Sequence, residues 1–101
     1  MGKTAIVTGA SRGIGFAIAK QLRLDGYNVA IVDLNRQADY QQNMNQLDEL
    51  GAGAYLYMQG DVRKPGDREL IVKKTVDKFG TIQVLVNNAG IAPKVRCDLL
   101  E

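Results

Sequence analysis

Residues 8–15 read Thr-Gly-Ala-Ser-Arg-Gly-Ile-Gly, a stretch that places three glycines between an apolar run and an amphipathic one. The apolar run before it, residues 4–7, is rich in branched side chains and predicts a buried β-strand. The apolar residues after it recur at helical spacing from Ile14 to Leu22 and predict a helix that ends near Gly26. A glycine-rich turn from a strand into a helix lets the backbone approach a phosphate at the N-terminus of the helix. The stretch therefore predicts a strand–helix unit with room for a pyrophosphate.

Alternating strands and helices are predicted over the rest of the chain. Further strands are predicted at residues 28–34, 54–59 and 82–86, and further helices around residues 40–47 and 65–79. Pro65 suits the first turn of the third helix, and Val72, Val76 and Phe79 are predicted to form its buried face. Strands that alternate with helices favour right-handed crossovers and a parallel sheet covered on both faces. The predicted fold class is therefore α/β, with a doubly wound parallel sheet.

The composition excludes several classes of protein. The chain has 101 residues, of which 46% are hydrophobic and 24% are charged, with a formal net charge of +2. These values are typical of one globular domain, and the scattered basic residues do not predict a nucleic-acid partner. No apolar run is long enough for a signal peptide or a membrane span, so we expect a cytoplasmic protein without a membrane partner. One cysteine and no histidine predict neither an internal disulfide nor a metal site.

Asp33 stands at the end of the second predicted strand. A carboxylate at that place accepts hydrogen bonds from the ribose hydroxyls of a dinucleotide and repels a 2′-phosphate. Arg12, by contrast, offers a guanidinium that pairs with a 2′-phosphate. The sequence therefore predicts NAD as the cofactor and leaves NADP as the alternative. A glycine turn that only reverses the chain and a solvated carboxylate at a strand end remain the plainer explanations.

Three motifs together resemble the short-chain dehydrogenase/reductase family, namely residues 8–15, the Asp61-Val62 pair and the Asn-Asn-Ala-Gly run at residues 87–90. The spacing of the glycines is similar to that of the subfamily with 3-oxoacyl-[acyl-carrier-protein] reductases and polyol or sugar dehydrogenases. The resemblance covers essentially the whole chain. It implies a Rossmann-type sheet with strand order 3-2-1-4, truncated after the fourth strand. Residues 1–101 would then be a partial NAD(P)-binding domain, the front half of a longer enzyme.

The resemblance also implies three groups of cofactor-binding residues. The residues around the pyrophosphate and the adenosine ribose would be Gly9, Ser11, Arg12, Gly13 and Ile14. Asp33 and Leu34 would hold the ribose, and Gly15 would let the helix pack closely. The residues at the adenine would be Asp61 and Val62, and those at the nicotinamide-side ribose would be Asn87, Ala89 and Gly90. Turn chemistry after Gly60 and a strand-ending turn remain open as explanations of the second and third groups.

No catalytic residue is predicted in this chain. The family uses a tyrosine that is followed four residues later by a lysine, and none of the four tyrosines here meets that condition. The resemblance implies an oxidoreductase that transfers hydride between a small-molecule carbonyl and an alcohol, with this chain as its dinucleotide-binding half, inactive alone. The alternative is a non-catalytic nucleotide-binding or interaction module. A bare apolar edge at the fourth strand would predict a homo-oligomer or self-association.

Overall fold

The computed structural model describes residues 3–50 and 53–88, together with the backbone of residues 97–99. Strands and helices alternate along most of the chain, and a 3-10 turn at Gln37–Tyr40 precedes the second helix. In order, the elements are β1 (Thr4–Thr8), α1 (Gly13–Leu24), β2 (Asn28–Asp33), α2 (Gln41–Asp48), β3 (Tyr55–Gln59), α3 (Pro65–Phe79), β4 (Val84–Val86) and β5 (Cys97–Leu99). The predicted succession of four strands and three helices is confirmed.

The strands form one sheet in the order β3-β2-β1-β4-β5. The first four are parallel, which confirms the predicted order 3-2-1-4. The register places Thr8 beside Val32 and Val7 beside Val86, so the carboxyl ends of β1, β2 and β4 meet at one edge of the sheet. That edge is the one from which the glycine-rich loop and Asp33 emerge.

The fifth strand was not predicted, because the predicted sheet ended at the fourth strand. β5 pairs antiparallel with β4, with Leu99 opposite Val84 and Cys97 opposite Val86. The outer edge of β4 is therefore not bare, since its backbone groups find partners in β5. Self-association was predicted from an open edge at β4, and this pairing weakens that reason for it.

The sheet is covered on both faces by apolar side chains. α1 and α2 cover one face, where Ala19, Met44 and Leu47 pack in one cluster with a valine of β1 and with a valine and an isoleucine of β2. α3 covers the other face, where Ile71 packs against Ile6, Ala30, Val32 and Met58. All five residues of β1 are buried. The continuous apolar run before the glycines is thus the signature of a strand enclosed on both sides.

The predicted buried face of α3 is wrong at Val72 and Val76, whereas Phe79, the third residue predicted for it, is half-buried. Val72 and Val76 are 48% and 41% exposed, whereas Ile71 and Thr75 are buried. Thr75 tolerates burial because its hydroxyl donates to the Ile71 carbonyl at 2.7 Å and so leaves no unpaired polar group. The prediction counted only apolar residues and so passed over Thr75. As a result it selected positions 72 and 76, each one residue after a position that is buried.

The helix ends follow the predicted signals. Pro65 is the first residue of α3, where a missing amide hydrogen removes no intrahelical bond. Gly26 and Gly80 follow α1 and α3 with φ angles of +95° and +88°, a left-handed conformation that favours glycine. Within the described part of the chain, no helix has the length and apolar character that a membrane span requires.

A buried arginine joins the two helices on one face of the sheet. Arg23 of α1 is 1% exposed, and its Nε and Nη2 donate to the Leu47 carbonyl at 3.1 and 2.8 Å. Leu47 lies in the last turn of α2, where the carbonyls have no intrahelical partner. Arg23 therefore holds the end of α2 against α1.

Replacing Arg23 by methionine is expected to lower the free energy of unfolding by about 2 kcal/mol. The methionine fills much of the space, but the Leu47 carbonyl loses both guanidinium donors and keeps only the longer bond from the Leu50 amide, at 3.3 Å. Urea unfolding of the variant beside Gln21→Met, an exposed site on the same helix, measures the difference. Equal stability of the two variants would contradict this role of Arg23.

Candidate functional site

A cavity of about 300 Å³ opens at the carboxyl edge of the sheet. Its volume lies at the lower end of the range for ligand pockets, and its position is where open α/β sheets bind their ligands. The lining residues come from the ends of β1, β2, β3 and β4: Gly9, Arg12, Val32, Asp33, Leu34, Asn35, Gly60, Asp61, Val62, Arg63 and Asn88.

The glycine-rich loop leads from β1 to a helix N-terminus with free amides. Gly9 and Gly13 have φ angles of +64° and +65°, which side chains rarely allow. Gly9 continues the β-ladder, since its amide donates to the Val32 carbonyl at 2.7 Å. Arg12 is the N-cap of α1 and makes no side-chain cap. Among the described residues, no acceptor binds the amides of Arg12, Gly13 or Ile14, so they face an anion-binding position.

Gly15 lies where α1 crosses the start of the loop. A Cβ at this position would overlap the Gly9 carbonyl oxygen and would stand 2.8 Å from Asn88 Nδ2. The close packing that the resemblance implied for Gly15 is present. The helix start is therefore held as near to the sheet edge as the backbone allows.

Asp33 is already engaged with the glycine-rich loop. Its Oδ2 accepts from the Ser11 amide at 3.0 Å and from the Ser11 hydroxyl at 2.8 Å, and its Oδ1 accepts from the Asn35 amide at 3.2 Å. Ser11 is fully buried. The resemblance implied that Ser11 lies around the pyrophosphate and the ribose, whereas the structure engages both its amide and its hydroxyl with the Asp33 carboxylate. Ser11 thus holds Asp33 through hydrogen bonds and does not itself line the cavity, whereas its neighbours Gly9 and Arg12 do.

Hydrogen bonding and burial set the protonation states of Asp33 and of Tyr57 near it. Burial raises the pKa of Asp33, but the hydrogen bonds from Ser11 and Asn35 outweigh it, so the net pKa is lowered and the carboxylate stays charged. The Tyr57 hydroxyl donates to the Asn35 carbonyl at 2.7 Å. Burial, with the charge of Asp33 nearby, raises the pKa of Tyr57 to about 12. Tyr57 therefore stays protonated and keeps its donor at neutral pH.

Asp61, the residue predicted to bind adenine, takes part in a turn of its own. Its Oδ1 accepts from the Arg63 amide and Nε, both at 2.9 Å, and its Oδ2 accepts from Arg63 Nη2 at 3.0 Å. These side-chain and backbone hydrogen bonds from Arg63 hold the pKa of Asp61 at about 2. The turn chemistry left open by the sequence is thus present. One acceptor position on Oδ2 remains for a ligand.

The residues after β4 divide between two places. Asn88 lines the cavity, its amide donates to Thr8 Oγ1 at 2.8 Å and its Nδ2 donates to the Gly9 carbonyl at 3.2 Å. Asn87, for which a cofactor role was predicted, lines a separate groove on the α3 side of the sheet with Ile71 and Leu85. Ala89 and Gly90 lie outside the described residues.

The predicted site residues therefore fall into clear positions. Those that line the cavity are Gly9, Arg12, Asp33, Leu34, Asp61 and Val62. Those that build the loop and the helix start beside it are Ser11, Gly13, Ile14 and Gly15. Lining residues without a predicted role are Val32, Asn35, Gly60, Arg63 and Asn88.

A usable signal existed for most of the missed residues. Asn35 and Gly60 follow the ends of two parallel strands, and Asn88 stands inside the motif that was identified. Val32 lies within the second predicted strand, just before Asp33. Arg63 has no signal, because its place depends on the turn that Asp61 forms. The described residues hold no cluster of three or more carboxylate, thiol or imidazole groups that could bind a metal ion.

Comparison with known proteins agrees with this geometry. A model of the short chain dehydrogenase family matches residues 3–100. The 3-oxoacyl-[acyl-carrier-protein] reductase FabG of Staphylococcus epidermidis is 41% identical over 91 residues, which are 90% of this chain and 37% of that protein. The chain thus spans little more than a third of the length of this relative.

Solved structures of two reductases have a similar fold. A 3-oxoacyl-[acyl-carrier protein] reductase from Brucella melitensis, in complex with NAD, matches with a TM-score of 0.80 at 35% identity, over 90% of this chain and 34% of that one. L-sorbose reductase from Gluconobacter frateurii, complexed with NADPH and L-sorbose, matches with a TM-score of 0.79 at 33% identity, over 89% of this chain and 34% of that one.

Proposed function

Because the chain belongs to the short-chain dehydrogenase family, we propose that it is the dinucleotide-binding part of an NAD(P)-dependent oxidoreductase. One observation carries the proposal: the cavity at the carboxyl edge lies between a helix start with free amides and the ionised Asp33. The bound dinucleotide would supply the hydride chemistry that interconverts a carbonyl and an alcohol. The residues of this chain would bind and orient it.

The pyrophosphate would rest against the start of α1. The amides of Arg12, Gly13 and Ile14 are without acceptors among the described residues, and the helix dipole adds a partial positive charge there. The Arg12 side chain is exposed and lines the cavity. Gly9 and Gly13 adopt positive φ angles and have no side chains, so the backbone of the loop could approach the pyrophosphate closely.

The adenosine ribose would bind to Asp33, which favours NAD. Among the described residues, Oδ1 accepts one hydrogen bond, from the Asn35 amide, and so would retain an acceptor position for a ribose hydroxyl. A 2′-phosphate carries about two negative charges and would lie beside this carboxylate, so the two groups would repel each other. NADP remains the alternative because two guanidinium groups, those of Arg12 and Arg63, line the same cavity.

We propose that this chain alone does not catalyse hydride transfer. No tyrosine in it is followed four residues later by lysine, so no residue here has the family's proton-transfer role. The substrate would be a small-molecule carbonyl or alcohol. The named relatives differ widely in this respect, since one is a 3-oxoacyl-[acyl-carrier-protein] reductase and another is an L-sorbose reductase. The same missing pair of residues favours the second candidate, a non-catalytic nucleotide-binding module.

Calorimetric titration with NADH, NADPH and ADP tests the proposal. NADH is expected to bind at least about ten times more tightly than NADPH, a difference of about 1.4 kcal/mol. ADP is expected to bind within a few-fold of NADH, because in this proposal the lining residues of the cavity would surround the adenosine diphosphate half of the dinucleotide. Tighter binding of NADPH would refute the choice of cofactor, and absence of binding by all three ligands would refute the proposed function. Hydride transfer to a carbonyl substrate by this chain would refute its inactivity.

A further inference from the structure

Asn43 lies on α2, a helix that contributes no residue to the cavity wall. Its Nδ2 donates to the Ser11 carbonyl at 2.9 Å, across a separation of 32 residues in the chain. Asn43 is half-buried, whereas the four other amide side chains of α2 are exposed: Gln41, Gln42, Asn45 and Gln46. Asn43 is thus the member of this polar set that reaches the glycine-rich loop.

The carbonyl that Asn43 binds belongs to the peptide between Ser11 and Arg12. In a planar trans peptide the carbonyl and the next amide point in opposite directions. A hydrogen bond that holds the Ser11 carbonyl towards α2 therefore turns the Arg12 amide away from α2. That amide is the first of the unpaired amides at the start of α1.

Ser11 is held at each of its polar groups. Its amide and its hydroxyl both donate to Asp33, and its Oγ accepts from Asn35 Nδ2 at 3.3 Å. Its carbonyl accepts from Asn43 Nδ2. Removal of the Asn43 bond is the change that frees the carbonyl and leaves the Asp33 contacts in place. The peptide could then rotate, and its amide would no longer be fixed.

We propose that Asn43 is a positioning residue for the diphosphate of the ligand. It holds the Ser11–Arg12 peptide so that the Arg12 amide is aimed before a ligand arrives, and binding then costs less ordering of the loop. The proposal rests on the proposed function, because it needs a diphosphate at the start of α1. Its consequence is selective: affinity for ligands with a diphosphate depends on Asn43, and affinity for adenosine does not.

The backbone of Asn43 is anchored independently of its own hydrogen bond. Met44 and Leu47 of the same helix are fully buried, and Arg23 holds the Leu47 carbonyl. A substitution at residue 43 should therefore leave α2 in place. Leucine has nearly the shape of asparagine but cannot donate, and it has a higher helix propensity.

The test compares Asn43→Leu with the unaltered protein by calorimetry, with ADP and adenosine as the ligands. The variant is expected to bind ADP about five times more weakly, the change that loss of one neutral hydrogen bond of about 1 kcal/mol produces. Its affinity for adenosine should stay within twofold. The matched control is Asn45→Leu, an exposed site two residues away whose side chain, among the described residues, is bonded only to Gln41. This control should bind both ligands normally.

The outcomes separate the two proposals. Unchanged affinity of Asn43→Leu for ADP would overturn the positioning role while leaving the proposed function intact. Equal weakening of ADP and adenosine would also overturn it, since a merely structural residue would give that result. If Asn43→Leu fails to fold, Asn43→Ala tests the same loss of the donor. Failure of the unaltered protein to bind ADP or NADH would overturn the proposed function, and with it this inference.

Discussion

Replacing Gly15 by alanine is expected to lower the free energy of unfolding by about 3 kcal/mol and to abolish detectable binding of NADH. The added Cβ would overlap the Gly9 carbonyl oxygen and would lie 2.9 Å from the Gly9 carbonyl carbon. Neither neighbour is a flexible side chain. Gly9 cannot yield easily, because its amide is bonded to the Val32 carbonyl at 2.7 Å. Relief of the overlap must therefore move α1 away from the sheet edge and displace its free amides.

Gly66→Ala is the matched control for this prediction. Gly66 lies in the first turn of α3 and has no atom within 4 Å of the place of a Cβ. The same substitution there should raise stability by roughly 0.5–1 kcal/mol, because alanine loses less conformational freedom than glycine in a helix. Urea unfolding and NADH titration of both variants measure the contrast. A Gly15→Ala protein as stable as Gly66→Ala would show that the close approach is not a constraint.

The parts of the fold that were predictable are those that a local pattern decides. β1 was predictable because an uninterrupted apolar run has few alternatives to a strand buried on both faces. The ends of α1 and α3 were predictable because Gly26 and Gly80 adopt the left-handed conformation that glycine favours. Asp33 could be placed at the cavity because the carboxyl ends of parallel strands share one edge.

The parts that were not predictable depend on hydrogen bonds from side chains to main-chain oxygens. Arginine is usually a surface residue. Arg23 is buried because its guanidinium donates to a carbonyl at the end of another helix. The face of α3 was misplaced because Thr75 meets its hydrogen-bonding need within its own helix. Asn43 gave no signal, since its partner, the Ser11 carbonyl, is a backbone group that any residue possesses. In each case the deciding bond runs from a side chain to a main-chain oxygen, which the residue type of the partner does not reveal.

Replacing Asp33 by asparagine is expected to change the preference between NADH and NADPH by about 10- to 100-fold in favour of NADPH. The substitution keeps the shape of the side chain and one oxygen that accepts from Ser11. It removes the negative charge that repels a 2′-phosphate, while Arg12 and Arg63 remain in the cavity wall to bind that phosphate. NADH should bind more weakly, because hydrogen bonds to an ionised acceptor are stronger than those to an amide.

Competition titrations with both cofactors give the ratio of dissociation constants for each protein. Asp77→Asn, which removes an exposed carboxylate paired with Lys73 on α3, changes the net charge equally and should leave the ratio unaltered. A shift in that control would assign the effect to the charge of the whole protein. An unchanged ratio in Asp33→Asn would show that the carboxylate serves only the loop, through Ser11, and that another group reads the ribose. The charge of Asp33 would then order the site without selecting its ligand.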